Sequence, residues 1–294
     1  MKKISLIALF AALVAVNVNA TDLVTETTHV TWGTPLRIEA AQFENAQPGQ
    51  KIVITYTDAK EMVESENKGS VIEFKVMNEH SDHLAGSREA LRLWNNGSLE
   101  QFLTASAVDS IKAHGLEITG NDFTVTKVEL LEGKAELKEG FSVWTGYFWV
   151  NGWVTLELYK EGYAGVNWSK AKAIRFYMET TNDKLEALNV LESWGEGGKI
   201  ADKDAMTAGE NYQELTLTDE LRTRLAGVGH WMIQYARVEP AEFNVTDVVI
   251  VMEEGPSTAI DNTVMGEKAI KTFENGQLVI IKNGIKYNAM GVQL

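Results

Sequence analysis

The sequence predicts an all-β protein made of two tandem β-sandwich modules followed by a small C-terminal β domain. A strand motif, Phe-x-Val-Thr-x-Val-x-(Leu/Ile), occurs at 123–130 and again at 243–250. Around each copy, short alternating apolar segments are separated by turn residues, with one short helix late in the unit. Repeats of roughly 110 residues with this content are typical of β-sandwiches. The C-terminal residues have turn signals of their own.

The predicted domains run in chain order: signal peptide 1–20, module 1 at 23–133, module 2 at 137–254, linker 255–267 and C-terminal domain 268–294. Met1-Lys2-Lys3 is a basic n-region before an apolar stretch, and Val18-Asn19-Ala20 has the small residues of a cleavage site. That stretch is too short for a membrane-spanning helix, so the mature chain should have no transmembrane segment. Gly255-Pro256 marks the linker, because proline cannot donate to a strand ladder.

Further paired segments predict the internal repeat. The pairs are Ile72–Phe74 with Ile174–Phe176, Leu91–Trp94 with Leu191–Trp194, and 111–118 with 225–233. Recurrence of Trp94 and Trp194 favours core packing for both. The motif at 123–130 also changes the phase of its alternation midway, which predicts a β-bulge. Thr218-Asp219-Glu220 predicts a helix start, with Leu221 and Leu225 on one face.

The composition limits the classes of partner. The chain has no cysteine, which excludes disulfides, a cysteine nucleophile and thiolate metal sites. Its formal net charge is −14, so nucleic acid and anionic lipid are unfavourable partners. A basic partner is electrostatically favoured, although acidity also serves solubility.

Asn151-Gly152 predicts a two-residue hairpin turn between strands at 141–150 and 153–159. In that register, one face of the hairpin carries Trp144, Phe148, Trp153, Thr155, Glu157 and Tyr159. The other face carries Val143, Tyr147, Trp149, Val154, Leu156 and Leu158. The second set is more uniformly apolar and is predicted to be the core.

The first set, with Tyr163 and Trp168 from the loop 162–168, is the predicted ligand-binding site. Aromatic rings pack on the C–H faces of sugars, and the oxygens of Thr155 and Glu157 can hydrogen-bond to hydroxyls. Two alternatives stay open: the second sheet of the sandwich could cover this face, or the face could form the contact between the modules.

No catalytic constellation is predicted, and the protein is expected not to be an enzyme. The sequence has no Gly-x-Ser-x-Gly elbow, His-Glu-x-x-His helix or phosphate-binding loop. The segment Glu79–His83 holds two histidines and two acids, but no further ligands with recognisable spacing, and is predicted to be a polar loop. No cofactor is expected; calcium stays open at Asn121-Asp122 and Asn182-Asp183.

The C-terminal residues contain a second hairpin pattern, with Leu278–Ile281 and Ile285–Tyr287 as strands around Asn283-Gly284. This segment resembles the C-terminal sorting domain of the type IX secretion system of Bacteroidetes. The matching residues are Glu274–Leu278, Asn283-Gly284, Tyr287-Asn288, Gly291 and Leu294. The resemblance implies the type IX machinery as a partner, and export through the periplasm to the cell surface or the medium.

The two modules are similar to jelly-roll modules that accompany polysaccharide-degrading enzymes in gut Bacteroidetes. The matching residues are Leu217–Leu221, Gly115–Ile118 and the two Phe-x-Val-Thr-x-Val strands. The resemblance implies a jelly-roll-like fold and a sugar ligand. The chain is therefore predicted to be an exported, surface-displayed, non-catalytic binding protein for a polysaccharide. Two alternatives are capture of a cationic host protein, such as a secreted digestive protease, and a purely structural surface component.

Overall fold

The computed structural model describes residues 20–60, 69–88, 90–93, 95–134, 140–195 and 197–253, with the backbone of three strands between 270 and 288. Residues 1–19 of the predicted signal peptide and the predicted linker lie outside the described residues. The backbone packs as two units, Met1–Pro256 and Ser257–Leu294. Within the described residues, no helix is long and apolar enough to cross a membrane.

Module 1 is a sandwich of two antiparallel sheets. Its elements are β1 (Thr21–Val24), β2 (Thr28–Val30), β3 (Leu36–Ile38), β4 (Lys51–Thr57), β5 (Val71–Val76), β6 (Leu91–Arg92), β7 (Gly97–Phe102), α1 (Ala105–His114), β8 (Leu116–Asn121) and β9 (Phe123–Leu131). One sheet has the order β1-β9-β4-β7, and β2 also pairs with β9, so β1 and β2 are two pieces of one interrupted strand. The other sheet has the order β3-β8-β5-β6.

Module 2 repeats this arrangement. Its elements are β10 (Gly140–Val150), β11 (Val154–Tyr159), β12 (Ala171–Met178), β13 (Leu185–Leu191), β14 (Lys199–Asp202), β15 (Thr207–Ala208), β16 (Tyr212–Thr216), α2 (Asp219–Gly227), β17 (His230–Arg237) and β18 (Phe243–Met252). The sheets have the orders β10-β18-β12-β16-β15 and β11-β17-β13-β14. The short strand β15 is the one addition to the pattern of module 1 among the described strands.

Both modules are jelly rolls, and the fold is all-β as predicted. If β1 and β2 count as one strand and β15 is set aside, each module has eight strands. One sheet then reads first-eighth-third-sixth and the other second-seventh-fourth-fifth, with the first strand beside the last. This order is that of a double-sheet jelly roll.

The duplication confirms some predicted repeats and corrects others. In module 1 Val30 pairs with Phe123, and in module 2 Val150 pairs with Phe243, so the two Phe-x-Val-Thr strands are equivalent. The segments 111–118 and 225–233 are also equivalent, because each joins a helix end to the seventh strand. The pairing of Ile72–Phe74 with Ile174–Phe176 is wrong: the first lies in a fourth strand and the second in a third strand.

The pairing of Leu91 with Leu191 is wrong as well, because Leu91 begins the fifth strand of its module and Leu191 ends the fourth strand of the other. A short Ile-x-Phe or Leu-x-x-Trp pattern reports burial on one face and does not identify which strand carries it.

The predicted bulge is present in both repeats. Opposite β4, the register of β9 shifts between Lys127 and Val125, and opposite β12 the register of β18 shifts between Asp247 and Val245. Each bulge leaves one threonine, Thr126 or Thr246, without a partner position. The phase of side chains along the last strand therefore changes at this point, as the motif predicts.

Each module has its own hydrophobic core between its two sheets. Phe43, Phe74 and Phe123 are among the largest fully buried side chains of module 1, and Phe176 and Trp231 among those of module 2. A buried side chain of this size stabilises the fold by roughly 1.5–3 kcal/mol. The chain has no cysteine and cannot form disulfides, so these two hydrophobic cores stabilise the modules without them.

The predicted helix start at Thr218 is confirmed. The Thr218 hydroxyl accepts a hydrogen bond from the Leu221 backbone amide at 3.2 Å, and Leu225 is buried against the core of module 2. In module 1, Thr104 caps α1 in the same way by accepting from the Ala107 amide at 3.2 Å. Each cap satisfies one of the amides that a helix leaves free at its N-terminus.

The two modules contact each other closely. The rings of His83 and Tyr159 stack with centroids 4.2 Å apart, and those of Phe102 and Tyr147 meet edge to face at 5.7 Å. A Cβ atom added to Gly162 would lie 3.2 Å from the Val143 carbonyl oxygen and 3.5 Å from the Gly86 nitrogen. The absence of a side chain at this glycine therefore permits the backbones to approach.

The C-terminal unit contains a three-stranded antiparallel sheet. Its strands are β19 (Ile270–Glu274), β20 (Gln277–Lys282) and β21 (Ile285–Asn288), in that order across the sheet. Lys282 pairs with Ile285, so the strands on either side of Asn283-Gly284 form the predicted hairpin pair. The role of this unit in sorting stays a prediction.

Candidate functional site

The predicted hairpin at Asn151-Gly152 is wrong. Strand β10 pairs with β18, and β11 pairs with β17 in the opposite sheet of module 2. The connection at 151–153 therefore passes from one sheet to the other across the end of the core. Since β10 and β11 are not neighbours, the two faces assigned to them from hairpin pairing do not exist as units.

In the second half of strand β10, the residues predicted to face the core are exposed, and those predicted to face solvent are buried. Trp144 and Phe148 are buried in the core of module 2. Tyr147 and Trp149, assigned to the core from the sequence, are both 54% exposed. The physical reason is a shift of register against β18 between Thr145 and Phe148, which breaks the period of two.

Strand β11 follows the predicted alternation. Leu156 and Leu158 are buried in the core, while Thr155, Glu157 and Tyr159 lie half-buried on the outer face. Tyr159 stacks on His83 of module 1 and lies 5.2 Å from His230, whose Nε2 is 3.4 Å from a Glu157 carboxylate oxygen. Tyr159 is thus at the contact between modules, which was one of the two alternatives for this face.

The two predicted rim residues lie beside the core. Tyr163 is buried, its ring stacks on Trp231 at 4.2 Å, and its hydroxyl donates to the Val228 carbonyl oxygen at 2.6 Å. Trp168 is half-buried and meets both of those rings edge to face. Tyr163 therefore supports the fold, and only Trp168 of this pair has surface to offer a ligand.

Trp153 is the one predicted site residue that stands largely free in solvent. It lies in the connection between β10 and β11 and is 60% exposed. Because Val150 pairs with Phe243 and Val154 pairs with Tyr235, the segments before β18 and after β17 lie at this same end of the sandwich. The loop that leaves β12 at Met178 reaches the same end, since Met178 pairs with Val245.

At this end of module 2, exposed aromatic side chains lie beside fixed polar groups. Trp149 pairs across the strands with Asn244, so their side chains share a face of the sheet. The Asn244 side-chain amide donates to a Glu179 carboxylate oxygen at 2.8 Å, and the Glu179 backbone amide donates to the Asn244 carbonyl oxygen at 2.9 Å. We call Trp149, Trp153, Glu179 and Asn244 the aromatic end of module 2.

Loops around the aromatic end are held by hydrogen bonds. The Asn182 side-chain amide donates to the Gly209 carbonyl oxygen, and Gln213 donates to the Asn182 side-chain oxygen at 2.6 Å. The Val238 backbone amide donates to the Lys184 carbonyl oxygen at 2.8 Å. Loops fixed before binding lose less conformational entropy when a ligand arrives.

A cleft of about 470 Å³ opens between the modules, and it brings together three segments that are far apart in the sequence. Its lining consists of His80, Asp82, Lys160, Glu161, Tyr163, Ala164, Trp168 and Ala226. Charged groups of both signs thus surround one half-buried indole. One Glu161 carboxylate oxygen is buried there without a hydrogen-bond partner among the described residues.

The candidate calcium loops are occupied by internal contacts. The Asp122 carboxylate bonds to Lys60, whose hydrogen bond lowers the pKa of that carboxyl, and a His29 ring nitrogen lies 3.5 Å away. Asp183 bonds to Thr181 and to Lys184. Across the described part of the chain, no three His, Asp or Glu side chains group as metal ligands. Calcium binding stays a prediction.

Trp194 is the remaining exposed large aromatic residue among the described residues of module 2, and its predicted core packing is wrong. It is 63% exposed in the connection between β13 and β14. Leu191 pairs with Lys199, which places this connection at the end of the sandwich opposite the aromatic end. Trp94 lies outside the described residues.

Comparisons with known proteins show a partial likeness to solved structures. No protein-family model and no curated protein matches the chain. Among solved structures, it is similar to SGBP-B of the Bacteroides ovatus mixed-linkage glucan utilization locus, solved in complex with a mixed-linkage heptasaccharide. The TM-score is 0.30 and the sequence identity 16%, over 38% of this chain and 28% of that one. The function proposed below rests on the residues of this chain.

Proposed function

We propose that the protein is a non-catalytic polysaccharide-binding protein and that the aromatic end of module 2 is its binding site. The observation that carries the proposal is the exposure of Trp149 and Trp153 at one end of the sandwich, with the bonded Asn244–Glu179 pair beside Trp149. Indole rings bind the C–H faces of sugars, and an amide next to a carboxylate offers donors and acceptors for hydroxyls.

Packing within the module does not account for these two exposed rings. Phe148 and Val150, on either side of Trp149, fill the core. A polar side chain at position 149 would therefore leave the buried core of the module unchanged. Large exposed aromatic groups that cluster at one place on a surface mark sites of interaction. A site made of rings, an amide and a carboxylate suits an uncharged chain of sugars better than an anionic one.

The proposed site replaces most of the site predicted from the sequence. Trp153 is retained. Trp144, Phe148 and Tyr163 support the core, and Thr155, Glu157, Tyr159 and Trp168 lie on the outer face or in the cleft between modules. The residues added are Trp149, Glu179 and Asn244.

The test is affinity gel electrophoresis of the mature chain, starting at Thr21, against a panel of soluble plant and host polysaccharides. We expect at least one polysaccharide to retard the protein. Trp149→Ala and Trp153→Ala should each weaken binding at least about tenfold, because a lost stacking contact costs about 1–1.5 kcal/mol. Trp194→Ala is the matched control, since it removes an equally exposed indole from the opposite end.

Retardation that is unchanged in both variants would show that sugar binds elsewhere. Absence of retardation by every polysaccharide of the panel would refute the proposed function. The dependence on salt distinguishes sugar binding from capture of a cationic protein. Protein capture by the acidic surface should weaken several-fold between low and physiological ionic strength, whereas sugar stacking should not.

We also propose that the chain is exported and displayed through its C-terminal unit, which is the function implied by the resemblance to type IX sorting domains. The antiparallel pairing of β20 with β21, within a unit of its own, supports the proposal that these residues fold as a separate sorting domain. A chain without residues 268–294 should accumulate in the periplasm, as measured by fractionation. Normal surface display of that truncated chain would contradict the proposal.

A further inference from the structure

The duplication of the fold places a second exposed tryptophan in module 1. Val30 pairs with Phe123 as Val150 pairs with Phe243, so the connection after Val30 corresponds to the one that holds Trp153. In both modules this connection joins the first strand to the second across the end of the sandwich. Trp32 lies in it and is 52% exposed.

The turn around Trp32 is closed by its own hydrogen bonds. The Thr34 amide donates to the Thr31 carbonyl oxygen at 3.1 Å, and the Thr31 amide donates back to the Thr34 carbonyl oxygen at 3.3 Å. The two threonine hydroxyl oxygens are 2.7 Å apart, and the Gly33 amide donates to Thr31 Oγ1 at 3.3 Å. Trp32 is therefore held at the tip of an ordered turn rather than packed into the core.

Polar groups surround this end of module 1 as they do in module 2. His29 occupies the strand position equivalent to Trp149 and pairs with Thr124, where module 2 has Asn244. The His29 ring lies 3.4 Å from the Thr124 hydroxyl oxygen and 3.5 Å from Asp122. The Asp122 carboxylate, whose pKa the hydrogen bond from Lys60 lowers, is a hydrogen-bond acceptor at this end of the module.

The two connections share the exposed indole although their sequences differ. One reads Thr31-Trp32-Gly33-Thr34 and the other Asn151-Gly152-Trp153, with the tryptophan one residue later relative to the paired valine. Neither indole belongs to the core of its module. A common packing requirement therefore does not account for a tryptophan at this end in both modules.

We propose that the end of module 1 formed by His29, Trp32, Lys60 and Asp122 is a second sugar-binding site, and that one chain binds a polysaccharide with both modules. This inference rests on the proposed function of module 2. Two linked sites on one ligand chain bind with an avidity that can exceed either single affinity by roughly 10²–10⁴-fold. A long polysaccharide should therefore bind much more tightly than a short fragment of the same chain.

The experiment compares the mature chain with Trp32→Ala, Trp153→Ala and the double variant, on the polysaccharide of the panel that retards the wild type most. Each single variant should lose more than about tenfold in apparent affinity for the polymer, because avidity is lost together with one site. The double variant should not be retarded. Trp194→Ala should behave as the wild type.

Calorimetry with a short oligosaccharide prepared from the same polymer counts the sites directly. We expect two oligosaccharides per wild-type chain and one per chain for Trp32→Ala. Trp32→Phe should restore part of the binding because it keeps an aromatic face. Thermal unfolding of each variant checks that the exposed position has been changed without loss of the fold.

The outcomes separate the two proposals. If Trp32→Ala behaves as Trp194→Ala and one oligosaccharide binds per wild-type chain, the second site is refuted and the site in module 2 stands. If Trp153→Ala is also without effect, both sites are refuted. If no polysaccharide retards the wild type, the proposed function fails and the second site fails with it.

Discussion

Two buried tyrosines in the core of module 2 differ in how their hydroxyls are satisfied. Burial raises the pKa of both Tyr163 and Tyr235, so both phenols are neutral at physiological pH. Tyr163 donates to the Val228 carbonyl oxygen at 2.6 Å. The Tyr235 hydroxyl is buried and has no hydrogen-bond partner among the described residues. A buried polar group without a partner costs stability, whereas a paired one contributes to it.

Replacement of these tyrosines by phenylalanine should therefore have opposite effects. Tyr235→Phe should leave the free energy of unfolding unchanged or raise it by up to about 1 kcal/mol. Tyr163→Phe should lower it by about 1 kcal/mol, because the Val228 carbonyl loses its donor. Urea unfolding of both variants measures the difference. A clear loss of stability in Tyr235→Phe would show that its hydroxyl is hydrogen-bonded in solution.

At the scale of elements, local sequence signals predicted the structure correctly where the interacting residues lie close in the sequence. The N-cap at Thr218 and the burial of Leu225 follow from residues within two helical turns, and both are present. The pairing across Asn283-Gly284 follows from a two-residue turn and is also present. Strand β11 has no register shift, so simple alternation placed Leu156 and Leu158 in the core correctly.

Strand β10 could not be assigned from local sequence for two physical reasons. Its partner is β18 at the far end of the module, so the Asn151-Gly152 turn signal was outweighed by long-range pairing. Its register also shifts twice against that partner, which moves Tyr147 and Trp149 from the predicted core face to solvent. The bulge predicted from the Phe-x-Val-Thr-x-Val motif of β18 was the available signal that side-chain alternation also changes in its neighbour β10.

The candidate site was accessible to sequence reasoning only in part. Trp153 is among the ligand-binding residues predicted from the sequence and is exposed, although the hairpin register on which that prediction depends is wrong. Asn244 and Glu179 could not be identified from the sequence, since their positions beside Trp149 depend on three strands that meet in one sheet. The cleft that joins His80 and Trp168 depends on how the modules dock, for which no local pattern exists.

At the scale of the whole molecule, the contact between modules is built from stacked and charged groups rather than from a shared core. The Arg88 guanidinium lies over the Phe148 ring, with its central carbon 4.9 Å from the ring centroid. Burial lowers the pKa of this guanidinium, and the negative charge of Glu157 opposes that shift. Together with the His83–Tyr159 stack, these contacts join the first module to strands β10 and β11 of the second.

We expect the two modules to unfold together. Differential scanning calorimetry of the wild type should give one transition for residues 21–254, with calorimetric and van't Hoff enthalpies that agree. The double variant Arg88→Ala/His83→Ala removes a desolvated cation–π contact of about 2 kcal/mol and a ring stack of about 0.5–1.5 kcal/mol, and should separate the transition into two. Arg92→Ala, at an exposed arginine of β6, is the matched control and should retain one transition.

Two separate transitions in the wild type would contradict this prediction, and they would also change how the two tryptophan-bearing ends can act on a ligand. If the modules are coupled, the spacing between Trp32 and Trp153 is fixed by the fold, and a sugar chain that spans it binds without an entropic cost for ordering the modules. The uncoupled double variant should then keep its affinity for a short oligosaccharide and lose part of its affinity for the polymer.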